Sequence, residues 1–126
     1  MDYKGIVIEE SLVDKAILGQ FTITETKVEP VTTAHKTPWL TQWTLHTVTI
    51  ATDQAEQAAQ SLSHNLDGDS WYVDFRNRDT HYVIFPNKVF RVDRSRPEQY
   101  KAVKTYGMSR GIPAHQLTFS AEIAET

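Results

Sequence analysis

The chain has 126 residues, 40% hydrophobic and 23% charged, with a formal net charge of -3 and no cysteine. That length can bury one core without disulfide or metal staples, and the weakly acidic balance gives no general attraction for phosphate backbones or anionic lipid, so neither nucleic acid nor a membrane surface is an expected partner. Absent cysteines remove disulfides, thiolate catalysis and cysteine-ligated zinc; with no bilayer-length apolar run and no basic-then-apolar leader in MDYKGIVIEE, the expected location is the cytoplasm.

In chain order, Tyr3 to Glu9 carries Ile6, Val7 and Ile8 in a short apolar run that suits a strand. Ser11 and Asp14 resemble a capping box for a short helix with Leu12, Val13, Ala16 and Ile17 inward and Gly19 closing it in a left-handed conformation. Gln20 to Glu29 predicts a half-buried strand with Phe21 and Ile23 on one face, and EPVTTAHKTP, over residues 29 to 38, has the prolines and lack of period of a loop. Trp39 to Ala51 predicts a central strand, with Trp43 and Leu45 on one side and His46, Val48 and Ile50 on the other. Asp53 and Glu56 then make a capping box for a helix over residues 53 to 66, whose apolar stripe is Ala55, Ala58, Ala59, Leu62 and Leu66.

Residues 70 to 94, SWYVDFRNRDTHYVIFPNKVFRVDR, read as a three-strand meander over 71 to 76, 81 to 85 and 88 to 92. A symmetric turn at Arg78-Asp79 pairs Arg76 with His81, Asp74 with Val83 and Tyr72 with Phe85. Trp71, Val73, Phe75, Tyr82 and Ile84 then share one face. A turn at Pro86-Asn87 adds Phe90 and Val92 to the other face. Ser95 and Glu98 predict a capped helix over 95 to 110 with Tyr100, Val103 and Tyr106 or Gly107 inward, stopped by Gly111-Ile112-Pro113. Gln116 to Ser120 supplies a last strand with Leu117 and Phe119 inward.

From Trp43 on, the order strand, helix, hairpin with an extra strand, helix, strand is that of a ferredoxin-like unit. The expected fold is a single α+β domain over 1–126: a ferredoxin-like antiparallel sheet over 39–126 with two helices on one face, preceded by a strand-helix-strand extension over 1–38. The opposite face, with Phe85, Phe90, Val83 and Val92, is too apolar to stay in water, which predicts an interface for a second copy, the N-terminal segment or a ligand.

KTPWLTQWTLHTV, WYVDFRN, HYVIFPNKVFRVDRS and the YG-x4-GIP segment resemble a family of small, uncharacterised bacterial and archaeal proteins with no assigned activity. The resemblance spans Ile6 to Phe119 and carries no catalytic residues with it.

Asp74, Arg76 and His81 form the one polar cluster that the register gathers. With Tyr72 beside them, and His46 on a neighbouring strand, Arg76 can bind a carboxylate or phosphate while His81, held by Asp74, moves a proton. Cross-strand pairing at the wet end of a hairpin is the ordinary alternative. His35, His46, His64, His81 and His115 have no metal-ligand spacing, Asp67-Gly68-Asp69 lacks the glutamate that closes a calcium loop, and no phosphate loop or nucleophile elbow is present, so no metal or cofactor is expected. The sequence therefore predicts a small binding or homo-oligomeric protein using the open apolar face, or else a metal-free acid-base enzyme for a small anionic metabolite.

Overall fold

The computed structural model describes residues 2–30, 42–68, 71–112 and 117. Strands β1 (Tyr3–Ile8), β2 (Thr22–Pro30), β3 (Gln42–Ile50), β4 (Val73–Arg76), β5 (Thr80–Phe85) and β6 (Lys88–Asp93) form one open antiparallel sheet in the order β2-β3-β1-β4-β5-β6. Helices α1 (Ala55–Ser63) and α2 (Gln99–Ser109) join it, and the mixed α+β class expected from the sequence is what the chain adopts.

The meander follows the expected register where its strands pair: Arg76 faces His81, Asp74 faces Val83, and the second hairpin turns at Pro86-Asn87 with Phe85 opposite Lys88, but β4 begins only at Val73, so the expected Tyr72–Phe85 pair is not part of the ladder. Asn77 closes the first turn by accepting the Asp79 and Thr80 N–H groups at 2.9 and 2.8 Å through its side chain. In the second, proline presets the backbone and Asn87 takes the positive φ of 59° that asparagine tolerates.

Both strands of the N-terminal segment join the sheet, β2 extending its edge beside β3. β1 lies at the sheet's centre, paired antiparallel with both β3 and β4. These two strands therefore run parallel with α1 as their crossover, a split βαβ unit whose gap is filled by the first strand of the chain. Gly5 makes the insertion possible: it faces Phe75, and a Cβ there would stand 2.6 Å from the Phe75 Cβ. Tyr3, Phe75 and Tyr82 then pack with ring centroids 5.0 to 5.5 Å apart.

The two helices cover opposite faces, not the single face expected. Ala55, Ala58, Ala59 and Leu62 of α1 join Tyr3, Val7, Val48, Val73, Phe75, Tyr82 and Ile84 in one core. Tyr100 and Val103 of α2 join Val83, Phe85 and Val92 in a second core, with Phe90, Tyr72 and Tyr106 against it. The reason lies in β5, whose consecutive residues His81 to Phe85 are all buried, so each face of that strand needs its own cover. The apolar face expected to bind a second copy through Phe85, Phe90, Val83 and Val92 is thus filled by the chain's own helix.

Local signals fared unevenly. The 12–20 region forms a 3-10 turn over Lys15–Gln20, started by Asp14 accepting the Ala16 N–H at 2.9 Å, and Gly19 is not left-handed. The Asp53–Glu56 box does not form; a 3-10 turn over Thr52–Gln54 precedes α1, and Glu56 accepts from Gln60 at 3.3 Å. Ser95 caps nothing, because its N–H and hydroxyl are held by Asp93, and α2 begins at Gln99. The end of α2 is as expected: Gly111 has φ 90°, its N–H bonds the Met108 carbonyl and the Ile112 N–H bonds the Gly107 carbonyl, both at 3.1 Å, a Schellman closure. β2 is exposed along nearly its whole length instead of half buried. Of the loop expected over residues 29 to 38, Glu29 and Pro30 belong to β2 and the rest lies outside the described residues, as does the last strand except Leu117, which is buried as expected.

Candidate functional site

His81 is fully buried where β5 meets α2. Its Nε2 lies 2.7 Å from Asp74 Oδ2 and its Nδ1 2.9 Å from the Tyr100 hydroxyl. A carboxylate can only accept, so Nε2 donates to Asp74, and the Tyr100 hydroxyl, which can donate or accept, satisfies Nδ1. Arg94, itself buried, hydrogen-bonds the Tyr100 oxygen and donates to the Asn77 carbonyl at 2.6 Å. A polar chain, Arg94 to Tyr100 to His81 to Asp74, therefore crosses the apolar layer between sheet and helix. It has a cation at one end and a carboxylate at the other. Burial raises the pKa of the Tyr100 hydroxyl, against the lowering influence of Arg94.

Asp74 is where this chain reaches solvent. It lines a pocket of about 330 Å³ with Lys4, Gly5, Ile6, Glu25, Thr47 and Arg76, a lining that includes no residue of α2. Two cross-strand rows build it. One runs Glu25–Thr47–Ile6–Asp74, the other Thr49–Lys4–Arg76–His81, so that Lys4 and Arg76 face each other on adjacent strands. Arg76 stands 3.9 Å from Asp74 Oδ2, which places two cations beside a carboxylate whose other side is anchored to a buried histidine. A second pocket of about 360 Å³, near Phe21, Thr49, Gln54 and Gln57, has no titratable side chain in its lining and offers no comparable chemistry.

Of the residues singled out in the sequence, Asp74, Arg76 and His81 do come together. Tyr72 shares their face but packs against Phe85 beneath α2, with ring centroids 5.8 Å apart, and is not part of the pocket wall. Burial, and then the nearby Asp74 charge, push its hydroxyl well above the ordinary tyrosine range. His46 is on the opposite face: its Nε2 is 2.9 Å from Glu9 and its Nδ1 2.9 Å from the Thr26 hydroxyl. It serves the packing of the N-terminal turn on β3, beside Glu10, which accepts from the Thr44 N–H and hydroxyl at 2.6 and 2.8 Å. Nothing in the sequence assigns Lys4, Ile6, Glu25 and Thr47 to the site, because only the central position of β1 brings them to Asp74 and Arg76. Tyr100 was expected inward, but its partner follows only from the face that α2 covers.

Among the described residues no three His, Asp or Glu side chains stand where they could share a metal ion, and no helix is long and apolar enough to cross a membrane. No family model, curated protein or solved structure matches the chain.

Proposed function

We propose that the pocket beside Asp74 binds a small anionic metabolite and supports acid-base chemistry on it. The observation that carries this reading is the burial of His81, bonded through both ring nitrogens, with Asp74 linking it to the pocket. Lys4 and Arg76 hold the carboxylate or phosphate of the ligand, Arg76 through its planar fork. Asp74 takes a proton from the bound molecule and returns it to a neighbouring atom, while the His81 N–H keeps the carboxylate oriented. The reaction class is a proton shift within one substrate.

A panel of small carboxylates and phosphates in a thermal-shift assay tests it. A true ligand at 100 times its dissociation constant adds about 2.7 kcal/mol of stability, and Arg76→Ala with Lys4→Ala removes that gain from a chain that still folds. Asp74→Asn keeps binding but ends exchange of ligand hydrogens with deuterated solvent. A panel without a hit, or a hit that survives loss of both cations, overturns the reading.

A further inference from the structure

β2 starts in ordinary alternation, with Thr22 opposite Thr49 and Ile23 opposite Val48, and then loses it: Glu25 is opposite Thr47, so two residues of β2 answer one of β3. The extra residue is Thr24, whose hydroxyl donates to the Thr47 carbonyl at 3.3 Å. A bulge of this kind re-aims the side chain that follows it. Without it Glu25 would share the face of Ile23 and Val48, which is the face that α1 covers. With it Glu25 joins the row Thr47–Ile6–Asp74 and lines the pocket beside Asp74.

The lining therefore holds two cations and two carboxylates, engaged to different degrees. Asp74 is bonded by His81 and stands 3.9 Å from Arg76. Lys4 and Glu25 are exposed, and among the described residues neither has an ion-pair partner. Three strand spacings separate Glu25 from Asp74 along their row, roughly 14 Å at about 4.8 Å per strand. Between them lies Ile6, an apolar side chain 48% exposed. Lys27, the next residue of β2 on the same face, is not part of the lining. We propose that the ligand of this pocket is a linear zwitterion: its carboxylate or phosphate is held by Lys4 and Arg76, its methylene chain lies on Ile6, and its ammonium group is bound by Glu25. This rests on the anion-binding reading above and adds the residue that selects the far end of the ligand. An α-amino acid, with both charges on neighbouring atoms, is too short to reach both ends.

Titration calorimetry of the full chain with ε-aminocaproate, caproate and adipate tests it, because the three share one carboxylate and one chain length and differ only at the other end. The expected order is ε-aminocaproate about fivefold tighter than caproate, the scale of an exposed ion pair, with adipate weakest. Glu25→Gln makes ε-aminocaproate and caproate equal, and Glu25→Lys reverses the order in favour of adipate. Both changes fall at an exposed position and leave the circular dichroism unchanged. Caproate or adipate binding as tightly as ε-aminocaproate, or a preference for ε-aminocaproate that survives Glu25→Gln, overturns the ammonium site and leaves the anion pocket standing. Binding of none of the three overturns it as well, and the panel of small carboxylates and phosphates then decides separately whether the anion pocket falls with it.

Discussion

His81 and Tyr100 meet at 2.9 Å between a strand and the helix that covers it, and the bond ties α2 to the sheet in an otherwise apolar contact. Tyr100→Phe keeps the ring and removes the hydroxyl that His81 Nδ1 bonds, and it takes one acceptor from Arg94, which keeps the Asn77 carbonyl. The expected cost is about 1–3 kcal/mol in urea unfolding. His81→Phe combined with Tyr100→Phe costs less than the sum of the two single changes, and additive costs would show that the pair is not coupled.

Gly5 is irreplaceable for a reason visible in its surroundings: an added Cβ meets the Asp74 carbonyl and the Phe75 Cβ, both on the backbone side of a paired strand. Gly5→Ala is expected to destabilise by about 2–3 kcal/mol. Gly19 has open space around it and no left-handed φ, so Gly19→Ala is expected to stabilise by about 0.4–1 kcal/mol. Equal effects in chemical denaturation would contradict the central place of β1.

Tyr72, Tyr82 and Tyr100 all hold their protons more tightly in the folded chain than the ordinary value of 10.0, burial being the first cause in each case. A raised folded pKa gives stability that is fully present below the unfolded value and is lost as pH climbs past it toward the folded one. Stability is therefore flat with respect to these groups through neutral pH and falls above about pH 10, with a slope of up to about 1.4 kcal/mol per pH unit for each tyrosine. Tyr72→Phe flattens that alkaline slope, as pH-dependent unfolding curves would reveal.

His46→Gln separates the two buried histidines. It disturbs the bonds to Glu9 and Thr26 and is expected to cost about 1–2 kcal/mol, while a ligand found for the Asp74 pocket keeps its thermal shift. Loss of that shift would place His46 in the site after all.

The meander and both helices were legible because alternation and 3.6-residue stripes are local signals, and the same alternation gathered Asp74, Arg76 and His81 on one face. The place of β1 was not. YKGIVI has the apolar run of a buried strand, but its partners are residues 45 to 50 and 74 to 76, and nothing local names them. The side taken by α2 was open to inference in HYVIF, where Tyr82 and Ile84 demand one cover and Val83 and Phe85 another. Reading both helices onto one face left an apolar surface that had to be explained by a partner. Once α2 is on that surface, the pocket shifts toward β1 and acquires Lys4.

The central position of β1 also orders events in time. A ribosome delivers Tyr3–Ile8 first, yet neither neighbour exists until β3 and then β4 have been made. Throughout that interval a strand with Val7 and Tyr3 destined for the core is without a mate, whereas residues 73 to 109 can pair and pack as they emerge, through short connections. Assembly is expected to close from the late part of the chain onto the early one, with the insertion of β1 as the slow step. Gly5→Ala would then lower the refolding rate more than it raises the unfolding rate.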